Sequence, residues 1–233
     1  MHEGTNKNKY IKLDAISNCH KRPDMYIGTN KSQLNQEFIY TTNGEIIFKD
    51  VVINDGILRL FIEALSNSCD NFFRSKNTET PMTKLCVTFD ELTNEITIMN
   101  DGLHIPVEVD SKEDVYIPEM IFGHLLSSSN YDDTEDRICS GRNGMGVKLV
   151  NVYSKTFQVE CFDYDKSIVY KQKWSNNMRK CHKSRILEKN KTKFKSGYTK
   201  ISYIIDFTKF KDENNTFMSD ETKYDEETIN CIR

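Results

Sequence analysis

The chain has little of what would tie it to a membrane, an export route or a metal centre. Across its 233 residues no apolar run approaches the roughly 20 residues that a membrane span needs. Its opening, MHEGTNKNKYIKL, has no apolar signal-peptide segment. The seven cysteines, at 19, 69, 86, 139, 161, 181 and 231, stand singly and form no C-x-x-C pair, so neither a disulfide framework nor a zinc site is indicated. Cys181 and His182 are adjacent, but no second ligand pair follows at metal spacing, and the five histidines are dispersed. No internal repeat is visible. The densest glycine cluster, GRNGMGVK at 141–148, reads G-x-x-G-x-G-x-K, which is neither the P-loop spacing nor the dinucleotide spacing.

What is present is enough for a folded body: 37% hydrophobic residues over this length can bury a sizeable core. Pro23 and Gly28 punctuate a turn in KRPDMYIG, and the Asn43-Gly44 pair predicts a hairpin that ends in EIIFKDVVI. From Ile57 to Lys76 a helix is expected, entered through Asp55 and Gly56, with an apolar stripe of Leu58, Phe61, Ile62, Leu65, Cys69, Phe72 and Phe73. Glu63, Asn67 and Asn71, spaced i, i+4, i+8, rise along its opposite edge. KLCVTFD and NEITIMN predict an antiparallel hairpin running into the turn NDGLHIP. PEMIFGHLL and the segment after the 141–148 glycines read as helices. TFQVECFD, SIVYKQKW and TKISYIIDF read as strands, and a final helix is expected in the acidic end. The pattern predicts an α+β sandwich, one sheet with helices on one face, and not a Rossmann fold.

The formal net charge of -3 hides an asymmetry. Between Lys171 and Lys200 there are eleven Lys or Arg and one acidic residue, Glu188, whereas 212–227 is acidic. The basic run is either a solvated loop or a patch that meets a DNA backbone.

Three features combine chemically. Backbone N–H groups of a glycine-rich turn make a site for polyphosphate, to which Lys148 adds a point charge. Magnesium takes hard oxygen ligands and few from protein, so the amide oxygen of Asn67, with phosphates and water, suffices. One turn away, Glu63 can accept a proton from water attacking the terminal phosphate. A carboxylate that ionises near pH ~4.3 is already a base at neutral pH, so it needs placement rather than a new charge.

In order and spacing, EALSNSCDN (63–71), NDGLHIP (100–106) and SGRNGMGVK (140–148) resemble the nucleotide-binding motifs of the GHKL ATPase superfamily shared by type II topoisomerases, Hsp90, MutL and histidine kinases. KRPDMYIG, YIPEMIFGHLLSSSNYDD, GRNGMGVKLVNVYS and KWSNNM narrow the likeness, over nearly the whole chain, to type IIA DNA topoisomerases of the eukaryotic and large-virus kind. That resemblance implies a Bergerat-type ATP-binding sandwich with a mixed, mostly antiparallel sheet, and an N-terminal strap at 1–25 before an ATPase domain at 26–233. It implies ATP and Mg2+ as cofactors, Glu63 as general base and Asn67 as magnesium ligand. Asn71 would lie by the ribose or phosphate and Asn100 would read the adenine amino group. Ser128, Ser129 and Asn130 would contact ribose and phosphates, and Gly141, Arg142, Asn143, Gly144, Met145, Gly146, Val147 and Lys148 would wrap the triphosphate. Tyr10 would reach the partner subunit's nucleotide, so that ATP closes a homodimer around a transported DNA segment.

Two residues depart from the family pattern. His104 stands where D-G-x-G-I-P has its second glycine, adding bulk near the nucleotide, and Met145 replaces the usual aromatic between the last two glycines. The chain also ends about where the family's second module begins, so it is expected to be a fragment or split subunit of a longer topoisomerase, unable alone to cut DNA. The competing expectation is a nucleotide-gated clamp module of the Hsp90 or MutL type. A third is a chain that binds nucleotide without hydrolysing it. The location implied is intracellular: the nucleus if cellular, the host cell or virion if viral.

Overall fold

A computed structural model describes residues 12–125 and 145–232. Two short helices, α1 (Ala15–Lys21) and α2 (Pro23–Tyr26), precede a hairpin of β1 (Gln33–Tyr40) and β2 (Ile46–Ile53). The long helix α3 (Asp55–Ser75) follows, then β3 (Leu85–Asp90), β4 (Glu95–Gly102) and α4 (Ile117–Gly123). After 126–144 come α5 (Gly146–Val152), β5 (Ser154–Asp163), β6 (Ile168–Ser175), β7 (Lys180–Cys181), β8 (Arg185–Glu188), β9 (Gly197–Ile205) and α6 (Glu226–Ile232).

Seven strands form one sheet in the order β3, β4, β9, β5, β6, β7, with β8 also on β6, and every paired strand is antiparallel. The only parallel pairing among the described residues is an isolated bridge between Lys31 and Lys211. The alternation of side chains along a strand sets the two faces. Ile96, Ile98, Phe157, Val159, Cys161, Ile201 and Tyr203 point into a core shared with Leu60 and Ala64 of α3 and Leu149 and Val150 of α5. The helices therefore lie on one face, as the sequence pattern predicts. α1 also joins this core: Cys19 is 1% exposed, and the Tyr153 hydroxyl donates to its carbonyl at 2.7 Å. No helix among the described residues is long and apolar enough to cross a membrane.

The face that α3 buries differs from the expected one. Its buried positions are Gly56, Ile57, Leu60, Phe61, Ala64, Ser68, Asn71 and Ser75, whereas Ile62, Phe72 and Phe73 are exposed. Small residues at 64, 68 and 75 let the helix lie close to its neighbours, and that closeness outweighs the area the larger apolar residues would bury. Asn54 caps the helix, accepting from Ile57 N at 3.4 Å, and Asp55 in the first turn suits the positive end of the helix dipole.

Candidate nucleotide site

Glu63 and the glycine cluster, far apart in sequence, meet in space. A Cβ placed on Gly146 would lie 2.2 Å from Glu63 Oε2, so the carboxylate occupies the space that any side chain at 146 would take. The other oxygen, Oε1, is 2.6 Å from Arg59 Nη2 one helical turn earlier. The carboxylate is thus held from two sides, with its side chain 22% exposed.

Asn67 is exposed and its Nδ2 donates to the Glu63 carbonyl at 2.6 Å. Among the described residues its Oδ1 accepts no hydrogen bond, which leaves a neutral hard-oxygen donor on the same edge as Glu63. Asn71 is buried at 6% exposure, and its Nδ2 donates to Leu103 O at 3.0 Å and Asp101 O at 3.4 Å. Its amide therefore ties α3 to the turn after β4.

At the end of β4, neighbouring residues face opposite ways. Asn100 lies with Ile96 and Ile98 on the helix-covered face, 4% exposed, its Nδ2 on Asp101 O at 3.0 Å. Asp101 is on the other face, where its carboxylate accepts from Thr83 N, Thr83 Oγ1 and Lys84 N, each at 2.7 Å. Of these two side chains, only that of Asn100 lies on the sheet face that α3 covers. Gly102 follows at φ +104, a conformation that favours glycine, and a Cβ there would also lie 2.9 Å from Met82 Cα.

Lys148 sits in the first turn of α5 with only 2% exposure, and desolvation lowers its pKa to about 8. Val147 belongs to the core, so its backbone alone can face a ligand, and Met145 packs half-buried against the same core. His104 sits against the end of β5. Its Nε2 is 3.3 Å from Asp163 Oδ1 and 3.6 Å from Asp165 Oδ2. The Asp163 carboxylate is 2% exposed and also accepts from Val107 N and Lys166 N, each at 3.0 Å. His104, Asp163 and Asp165 are the one group of His, Cys, Asp and Glu among the described residues whose potential ligand atoms lie within 4.8 Å of one another, and the approach of the imidazole to both carboxylates accounts for it. Tyr10, Ser128, Ser129, Asn130, Gly141, Arg142, Asn143 and Gly144 lie outside the described residues.

Arg59 is the residue that motif reading passes over. The i, i+4 rule offers the signal, since a cation one turn before a carboxylate on a helix can reach it.

No family model matches the chain. It is 42% identical over 205 residues to DNA topoisomerase 2 of Saccharomyces cerevisiae and 41% identical over 208 residues to that of Meyerozyma guilliermondii, matches that span 87% and 89% of this chain. It spans only 14% of the length of either relative. Among solved structures it is similar to the ATPase region of Saccharomyces cerevisiae topoisomerase II, with a TM-score of 0.86 and 37% identity over 96% of this chain and 55% of that one. A second structure of that region, bound to ICRF-187 (dexrazoxane), matches equally. The ATPase and transducer domains of DNA topoisomerase II from Balamuthia mandrillaris match at a TM-score of 0.83 and 34% identity over 92% of this chain and 53% of that one. In sequence and in fold, the chain belongs to the type II DNA topoisomerase family and corresponds to the ATPase region of its relatives.

Proposed function

We propose that this chain binds and hydrolyses ATP as the ATPase domain of a type II DNA topoisomerase. In that role ATP would close two copies into a gate that couples to DNA strand passage. The observation that carries the reading is the contact of the Glu63 carboxylate with the Gly146 backbone, which brings a general base to the start of the expected phosphate cradle. The topoisomerase relatives disfavour the Hsp90 or MutL clamp reading.

In this mechanism Glu63 accepts the proton of the water that attacks the terminal phosphate. Arg59 fixes one carboxylate oxygen, so the other is presented toward α5 without a search over rotamers. Lys148 approaches the phosphates as a poorly hydrated ammonium, which strengthens its attraction to an anion. Asn100 receives the adenine amino group through its amide oxygen, and Asn71 holds the adjoining turn in place. Asn67 suits Mg2+, because its amide nitrogen is already tied to the helix and its oxygen is left over. Bound there with the phosphates, the ion would neutralise their charge. Tyr10 from the partner copy, Ser128 to Asn130 and Gly141 to Gly144 complete the proposed site. The remainder of a longer topoisomerase chain and DNA are the proposed partners, and an intracellular location follows from this role.

Glu63→Gln tests the assignment. The expected result is unchanged nucleotide affinity with phosphate release abolished. Lost affinity with retained slow hydrolysis would overturn the roles.

A further inference from the structure

Half of the basic run between Lys171 and Lys200 is strand rather than loop. It supplies part of β6, all of β7 and β8 and the first four residues of β9, and its cations Lys171, Lys173, Arg185 and Lys200 fall on the sheet face opposite the helix-covered core. The register brings its cations into rows across the strands. Lys200 on β9 pairs with Glu160 on β5, Glu160 with Lys171 on β6, and Lys171 with Arg185 on β8. One step along, Ser202 pairs with Gln158 and Gln158 with Lys173. Residues directly opposite project to the same side, and strands lie about 4.8 Å apart, so Lys200 to Arg185 spans ~14 Å. These side chains, with Lys183, line a shallow trough of about 390 Å³.

The charges divide into two groups. Glu160 is neutralised locally: Lys171 Nζ is 2.8 Å away, Lys189 Nζ 3.9 Å, and the Tyr198 hydroxyl donates to it. Its partial burial opposes ionisation, but the hydrogen bonds from Lys171 and Tyr198 prevail and hold its carboxyl below its usual range. Lys189 is further confined over the rings of Phe194 and Tyr198, 4.6 Å from each. Lys173, Lys183, Arg185 and Lys200, by contrast, make no ion pair among the described residues. Four uncompensated cations therefore surround one already satisfied carboxylate.

We propose that this trough on the open face of the sheet is a docking surface for the phosphate backbone of duplex DNA, held by Lys173, Lys183, Arg185 and Lys200 with Gln158 and Ser202 as hydrogen-bond partners. A polyanion suits cations that have no internal partner, and a row ~14 Å long faces several phosphates of a duplex. The trough lining has no Phe, Tyr or Trp, and its one ring, His182, is tethered to the Ser175 hydroxyl at 2.8 Å, so it offers a poor platform for stacking successive unpaired bases. This surface deepens the topoisomerase reading, on which its choice of DNA rests.

Binding of a labelled duplex to the full chain, followed by anisotropy from about 50 to 200 mM salt, tests it. Each of Lys173→Gln, Lys183→Gln, Arg185→Gln and Lys200→Gln should lower the slope of log K against log salt by about 0.9, and the four together by about 3.6. Lys112→Gln, outside the trough, should leave it unchanged. An unaltered slope in the quadruple variant, with its thermal melt intact, overturns the proposal. So does displacement of the duplex by poly-glutamate at equal charge, which would assign the trough to an acidic protein, or equally tight binding of a single strand. Nucleotide binding measured on the same samples separates the two readings: its retention beside an unaltered slope defeats the trough alone, and its absence in the unmodified chain defeats the ATPase reading alone.

Discussion

Arg59 Nη2 and Glu63 Oε1 are 2.6 Å apart on one edge of α3, and the partner oxygen of that carboxylate is the one that meets Gly146. The arginine side chain is 57% exposed, so the pair is worth at most a few tenths of a kcal/mol to folding, on the order of other i, i+4 pairs. Its value lies in orientation. Arg59→Ala is expected to lower phosphate release several-fold while nucleotide affinity and the melting temperature stay put, and Arg59→Lys is expected to restore most of the rate. A parallel fall in affinity, measured by calorimetry, would mean that Arg59 binds nucleotide instead.

Gly146→Ala places a methyl where Glu63 Oε2 now lies. The atom it meets is the end of a flexible side chain, and alanine is the better helix former by about 1 kcal/mol, so the fold should survive. The carboxylate should swing aside and turnover should fall at least tenfold. Since both changes act on one group, Gly146→Ala combined with Glu63→Gln should be no slower than Glu63→Gln alone. Additive losses in a double-mutant cycle would contradict this.

Lys148 gives the pH dependence its sign. Contact with a polyphosphate raises the pKa of an ammonium whose free value is about 8, so binding takes up a proton above that pH. Nucleotide affinity should be flat from pH 7 to 8, where the phosphates are already ionised, and then weaken toward tenfold per unit. Lys148→Met should remove that slope and lower affinity throughout. The same residue costs the unliganded protein stability at neutral pH, by about 3 kcal/mol for a shift from 10.5 to about 8. The folded group loses its proton near 8 while the unfolded one keeps it to 10.5, so stability is regained as pH rises across that window. Lys148→Met should therefore melt higher than the parent at pH 7, with the gap closing by pH 10 in calorimetric scans.

His104→Gly restores the residue that the family pattern carries. The imidazole pairs with buried Asp163 and fills the space opposite Gly197, whose added Cβ would sit 2.4 Å from His104 Cβ. Removing it should cost about 1–3 kcal/mol in urea denaturation, since buried Asp163 keeps its two backbone donors and Lys166 but loses the imidazole beside it. Nucleotide affinity should change less than threefold. Tighter binding at unchanged stability would show that the ring obstructs the site.

Much of this was legible in the chain before folding, and the exceptions share a cause. The spacing of Glu63, Asn67 and Asn71 fixed them to one helix edge because i, i+4 geometry is local. Alternation found β4, β5, β6 and β9 for the same reason. What local pattern could not supply was the depth to which each residue sinks. Asn71 is buried beside Ala64 and Ser68 while Phe72 and Phe73 stay exposed, and only the nearness of β4 and α5 decides that. β7 and β8 were hidden because their cations mask a sheet whose inner face is already covered. That Asp101 faces away from Asn100 required knowing which face of β4 the helices occupy. The meeting of Glu63 with Gly146 is a contact between segments far apart in sequence, to which no periodicity points.

The middle of the sheet is made by the strand that comes last. β4 and β5 do not pair with each other; β9 lies between them and bonds to both. Until residue 205 has been synthesised, β3 with β4 and β5 with β6 are two separate hairpins, each with one side unmated. Asn100, the proposed adenine contact, rides on the first, and Lys148, the proposed phosphate contact on α5, precedes the second. Closure of a loop of that length is slow relative to helix or hairpin formation. Nucleotide competence should therefore arise in a single late step of folding, when β9 zips the two halves together.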